Sequence, residues 1–115
     1  MMSSMKYILI TILIPLFLFA SSSSGDVDKG HTYFRYIINP MIKIKGDKFT
    51  ILHTKEEWKK LFSNDAQEFK IKYSYLSDDF KTFLLSPKFE NIASDIRAFL
   101  IYYAKDSDIK AQCGD

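Results

Sequence analysis

At 115 residues the chain holds one domain at most, too short for a dinucleotide-binding unit joined to a substrate domain or for any barrel enzyme. Basic residues number 16 and acidic residues 14, and Lys6 is the only charge before Asp26, so the remainder is close to neutral and nothing electrostatic points to nucleic acid or an acidic membrane surface. One cysteine, two histidines, three prolines and four glycines exclude a disulfide framework, a thiolate zinc site and a glycine-rich phosphate loop.

Lys6, the apolar run from Tyr7 to Ala20 and the small residues Ser21 to Ser24 have the layout of a secretory signal peptide. A membrane span needs about 20 apolar residues to cross ~30 Å of hydrocarbon, and Pro15 weakens a permanent helix further. Ala20, Ser21 and Ser22 are acceptable cleavage positions, and no cysteine follows them to take a lipid anchor. The expected organisation is a signal peptide over 1–22, a flexible mature end over 23–28, a helical domain over 29–106 and a tail over 107–115. This places the domain in the periplasm or outside the cell without stable membrane insertion once the signal is cleaved. An uncleaved anchor is the alternative.

Phe34, Ile37, Ile38, Met41 and Ile42 recur at three- and four-residue intervals, which predicts a short amphipathic helix over about 28–38 that Asn39-Pro40 breaks. Residues 41–52 support two readings. Ile42, Ile44, Phe49 and Ile51 alternate with lysines and Thr50 around Gly46-Asp47, a hairpin pattern, while Phe49, Leu52 and His53 share the face of a short helix starting at Asp47. Thr54 with Glu57 three positions on is a capping box, and the helix it starts shows Trp58, Leu61 and Phe62 on one side and Lys59 and Lys60 on the other. His53, just before the cap, is expected to pack on Trp58.

Residues 65–76 repeat the ambiguity, since Phe69, Ile71, Tyr73 and Tyr75 alternate with polar residues while Asp65 to Glu68 reads as a first helical turn. Ser77-Asp78-Asp79 starts a helix bearing Phe80, Phe83 and Leu84. Ser86-Pro87 is further punctuation, and Ile92, Ile96, Phe99, Leu100 and Tyr103 predict the strongest helix over about 91–105, with Asn91 as its cap.

Few residues could carry chemistry. The pairs Glu56-Glu57 and Asp78-Asp79 are neighbours that point about 100° apart on a helix, and they read as charged helix starts. The lysines between Lys43 and Lys72 share their stretch with Asp47, Glu56, Glu57, Asp65 and Glu68 and read as a solvated face. Covalent haem needs a Cys-x-x-Cys-His run that the chain does not contain, which leaves His31, His53 and Met41 as the axial ligand types for noncovalent haem. No residue set assigns a catalytic group, a bound cofactor or a metal. Cys113, two residues from the end, is expected either to form an intermolecular disulfide, with a second copy or another partner, or to remain a free thiol.

The run from Lys48 to Phe62, KFTILHTKEEWKKLF, taken with Phe99 to Ser107 and Cys113, resembles a group of small periplasmic proteins of epsilonproteobacteria. Members often open with a Lys-Gly like that at Lys29-Gly30 and tend to be labelled cytochrome-c-like, although haem-attachment motifs are not their common feature. The resemblance implies a predominantly helical periplasmic domain and favours helix over 48–53. Relatives carry a second cysteine ahead of the Lys-Phe…His-Thr run, whereas residues 39–46 here contain none, so the disulfide implied for them is lost. The expected fold is therefore mainly α, a single-domain bundle of four to five short helices, with a hairpin at 41–52 (α+β) as the alternative. The expected function is an exported, non-enzymatic binding or interaction protein for an unknown protein or small ligand. The alternative is a periplasmic electron-transfer or haem-handling accessory.

Overall fold

Helix α1 (Val27–Tyr33) begins where Asp26 stands extended and its carboxylate accepts the Lys29 amide at 3.0 Å, an N-cap inside the stretch expected to be flexible. The computed structural model describes residues 25–112; the expected signal segment and Cys113 lie outside these. Asn39-Pro40 does not break the helix. The chain widens into a π-helical turn over Phe34–Ile38 and continues as α2 (Asn39–Ile42). In a regular α-helix the Pro40 ring would crowd the Tyr36 carbonyl and offer it no amide. The wider turn instead bonds the Asn39 amide to the Phe34 carbonyl, five residues back, and relieves that crowding. Asn39 accordingly keeps right-handed helical angles (φ −51°, ψ −47°) although it precedes proline. Lys43, left-handed at φ 62°, ends the rod.

Helix α3 (Gly46–Phe49) runs into a 3₁₀ turn at Thr50–Leu52, so the hairpin alternative does not form. The Thr54 capping box is complete at the start of α4 (Lys55–Leu61): Thr54 Oγ1 accepts the Glu57 amide at 3.2 Å and Glu57 Oε1 accepts the Thr54 amide at 2.9 Å. Such a cap contributes about 1 kcal/mol.

The passage into α5 (Ser63–Tyr73) corrects the expected first turn at Asp65. Asn64, Asp65 and Ala66 are consecutive left-handed residues (φ 54°, 58° and 60°), and right-handed helix resumes only after them. In one continuous helix Phe62 and Phe69 would share a face about 10 Å apart. The left-handed turn folds the chain so that their rings meet at 4.6 Å, with Ala66 buried beside them.

A 3₁₀ turn at Ser74–Leu76 closes α5. Ser77 caps α6 (Asp78–Leu84) by accepting the Phe80 amide at 3.0 Å. Ser86 caps α7 (Pro87–Tyr102) by accepting the Phe89 amide at 3.4 Å. Ser86-Pro87 is thus the start of the last helix itself, and Asn91 lies within it. With α1 and α2 taken as one rod, six helices and no strand are present among the described residues, a mainly α fold close to the four or five helices expected. Residues 107–112 fold back: Ser107 Oγ donates to the Tyr102 carbonyl at 2.7 Å, Lys110 Nζ donates to the Lys105 carbonyl at 3.0 Å, and Ala111 is buried. No described helix is long and apolar enough to cross a membrane.

Two contacts set the packing. A ring cluster joins the helices through Phe34, Phe49, Trp58, Phe69 and Phe99, all shielded from solvent. The other contact brings α1 against α7 backbone to backbone. Gly30 lies so close that a β-carbon there would overlap the Asp95 carbonyl oxygen, and the Asp95 carboxylate accepts the Asp26 amide at 2.8 Å. Replacing glycine by alanine in an exposed helix usually gains about 1 kcal/mol. Gly30→Ala is expected to reverse that sign and cost about 2 kcal/mol, because the carbonyl it meets is fixed helix backbone. A urea titration in which Gly30→Ala unfolds at or above the wild-type midpoint would show that α1 and α7 are not in close contact.

Candidate functional site

His53 is held on several sides at the edge of the apolar core. Its extended backbone links the 3₁₀ turn after α3 to the cap of α4, and its carbonyl accepts the Lys105 amide at 2.9 Å, tying it to the chain beyond α7. The imidazole packs edge-on against Trp58 with centroids 4.7 Å apart, as expected, and Trp58 is itself fixed by an Nε1–H bond to the Thr50 carbonyl at 2.9 Å. Each ring nitrogen has a neighbour. Nε2 lies 2.6 Å from the Tyr73 hydroxyl and Nδ1 lies 3.5 Å from Glu57 Oε1, the oxygen that also accepts the Thr54 amide.

Protonation follows from the surroundings. Burial lowers the His53 pKa, with Lys72 adding to the effect while the charge and hydrogen bond of Glu57 oppose it. The Thr54 amide holds the Glu57 carboxyl below its ordinary range, and His53 adds to this. Burial, helped by Tyr75, pushes the Tyr73 phenol up to about 12. At neutral pH the trio is therefore carboxylate, neutral imidazole and phenol. A proton on Nδ1 facing Glu57 leaves Nε2 to accept from the Tyr73 hydroxyl.

This order, carboxylate to imidazole to hydroxyl, superficially matches an activated nucleophile. The chemistry does not follow, since Tyr73 is buried and harder to ionise than free tyrosine. Two of the nearby amides at the start of α4 are also taken, Lys55 by Asp106 at 2.9 Å and Glu57 by Thr54. The arrangement holds a rigid, neutral polar end to an open groove of about 500 Å³, lined by Glu57 and Lys60 of α4, Glu68 and Lys72 of α5, and the apolar Leu61 and Ile71.

Tyr73 was missed as a site residue because its stretch permitted strand. Read as helix, Phe69 and Tyr73 fall on one face and Ile71 and Tyr75 on another, a signal in the spacing itself. A second groove, of about 640 Å³, lies between the left-handed turn and α7, with Phe62, Ala66 and Phe89 among its lining.

The haem ligand types are not brought together. His31 stacks on Phe99 at 4.9 Å, and Met41 lies ten residues further along the same rod, about 15 Å away along its axis. His53 has both nitrogens engaged, so the residues present do not fit a haem. Among the described residues no three His, Cys, Asp or Glu side chains gather to hold a metal ion. Comparison with family models, curated proteins and solved structures finds no match to the chain.

Two outcomes follow from this geometry. Haem added to the purified protein should give no histidine-dependent Soret band; a band lost in His53→Ala or His31→Ala would overturn the assignment of both rings to packing. The His53 shift also predicts a pH dependence. The folded ring binds a proton less readily than the unfolded one, whose pKa is near 6.5, so the stabilisation is complete above 6.5 and is lost as pH falls into the window below it. Urea midpoints should decline across that window in the wild type, and the decline should be shallower in His53→Asn. Parallel curves would show that His53 is free to charge in the folded protein.

Proposed function

We propose that the protein is an exported, non-enzymatic binding protein that takes its partner, a protein or a small ligand, at the groove over His53. The observation that carries this reading is Ile71, an apolar residue of α5 that lines the groove and is 70% exposed. Burying a side chain of this size is worth roughly 1.5–3 kcal/mol. The rim balances Glu57 and Glu68 against Lys60 and Lys72, so recognition rests on apolar contact and local polar matching rather than on long-range steering. His53, held by the Tyr73 hydroxyl behind it, ends the groove with a group already in place, which lowers the ordering cost of binding. The setting outside the cytoplasm rests on the Lys6 to Ser24 layout and on the resemblance to small periplasmic proteins.

Capture from a periplasmic extract with immobilised wild-type protein and Ile71→Asp is the test. A species retained by the wild type should be lost from the variant while both melt at the same temperature. Equal retention by the two would remove the binding site from this groove.

A further inference from the structure

We infer that the second groove, between the left-handed turn and α7, binds short peptides with free termini and an apolar side chain. Its floor is apolar, formed by the Phe62 and Phe89 rings with Ala66. Its walls carry two carboxylates, Asp65 and Glu90, and two cations, Lys70 and Arg97. No ion pair joins these four groups among the described residues, although the structure does close a pair on α4, Lys59 with Glu56 at 3.3 Å. Lys70 instead sits over the Phe89 ring, 5.7 Å from its centroid.

Charges of both signs held apart around one cavity select the ligand by its chemistry. A phosphate or sulfate would meet Asp65 and Glu90, and a metal cation would meet Lys70 and Arg97. A zwitterion satisfies both sets, its ammonium on the carboxylates and its carboxylate on the cations, each through charge-assisted hydrogen bonds. The ring floor then takes an apolar side chain. At about 640 Å³ the groove exceeds a single amino acid and is of the size that small ligands occupy. The backbone adds a second argument. Asp65 reaches this wall because residues 64–66 are left-handed, a conformation that Ala66 adopts at φ 60° without the freedom of glycine. Strained backbone of this kind is concentrated at ligand-holding sites. The site is separate from the groove over His53, for α5 presents Lys70 to one and Ile71 and Lys72 to the other.

Calorimetric titration of the purified chain with the dipeptide phenylalanyl-leucine, and with the same dipeptide acetylated and amidated, tests the inference. The free dipeptide should bind saturably and its blocked form at least about tenfold more weakly, the scale of one lost charge-assisted hydrogen bond. Arg97→Gln and Glu90→Gln should each weaken the free dipeptide to a similar degree, and Ile71→Asp should leave its affinity unchanged. Thermal melting checks that the variants fold, and the exposed Glu90→Gln decides alone if Arg97→Gln does not. The inference is overturned by equal binding of the two dipeptides, by no saturable heat up to millimolar concentration, by indifference to both charge variants, or by loss of binding in Ile71→Asp.

Discussion

The ring of Phe69 is the point on which the rest of the structure depends. It contacts Phe49 of α3, Trp58 of α4, Phe62 beyond α4, Tyr73 one turn along α5, Phe80 of α6 and Phe89 of α7, with centroids between 4.6 and 6.4 Å. A domain this small buries a smaller fraction of its surface than a large one, so bulky side chains count for more in its core. Aromatic pairs bring large buried areas and about 0.5–1.5 kcal/mol each from their geometry, and Phe69 gathers several of them. Through Phe49 the network reaches Phe34 and then Phe99, so the rod of α1 and α2 and the long α7 belong to the same core.

Both grooves inherit their shape from that ring. Trp58 and Tyr73, which fix His53 on two sides, are Phe69 neighbours, and so are Phe62 and Phe89, which floor the second groove. Helix α5 is then a wall with Phe69 and Tyr73 turned into the core, Glu68, Ile71 and Lys72 lining the first groove and Asp65, Ala66 and Lys70 the second. The neutral state of His53 has the same origin, since the packing that holds the imidazole also excludes the water that would stabilise its charge.

How much of this was legible in the sequence depended on range. The starts at Thr54 and Ser77 could be read because a cap joins residues three apart, and the His53 contact with Trp58 followed from the same local geometry, whereas Ser86, which has the same cap, was passed over for Asn91. The stretches 42–51 and 69–75 were ambiguous because their apolar residues fit both a period of two and a helical face. Contacts distant in sequence, such as Phe49 with Phe34 and Phe69 with Phe89, accompany the helical outcome. Asn39-Pro40 misled for a different reason. Proline forbids a particular bonding register rather than helix as such, and a five-residue register was open to the chain.

The left-handed turn at 64–66 was only partly legible. Asn64 and Asp65 are residue types that tolerate a positive φ, but nothing about Ala66 favours one, and Phe62, Phe69 and Tyr73 also fit the stripe of a single unbroken helix. The difference lies in distance: a straight helix would leave Phe62 and Phe69 two turns apart, whereas the folded chain brings their rings together. The conformational cost at Ala66, of order 1–3 kcal/mol, is therefore offset by ring contacts that exist only because the turn is there. The same reversal sets α4 and α5 side by side around the first groove and puts Asp65 on the wall of the second. A straight helix from Lys55 to Tyr73 would set α4 and α5 end to end instead of side by side, so this short reversal shapes both candidate sites.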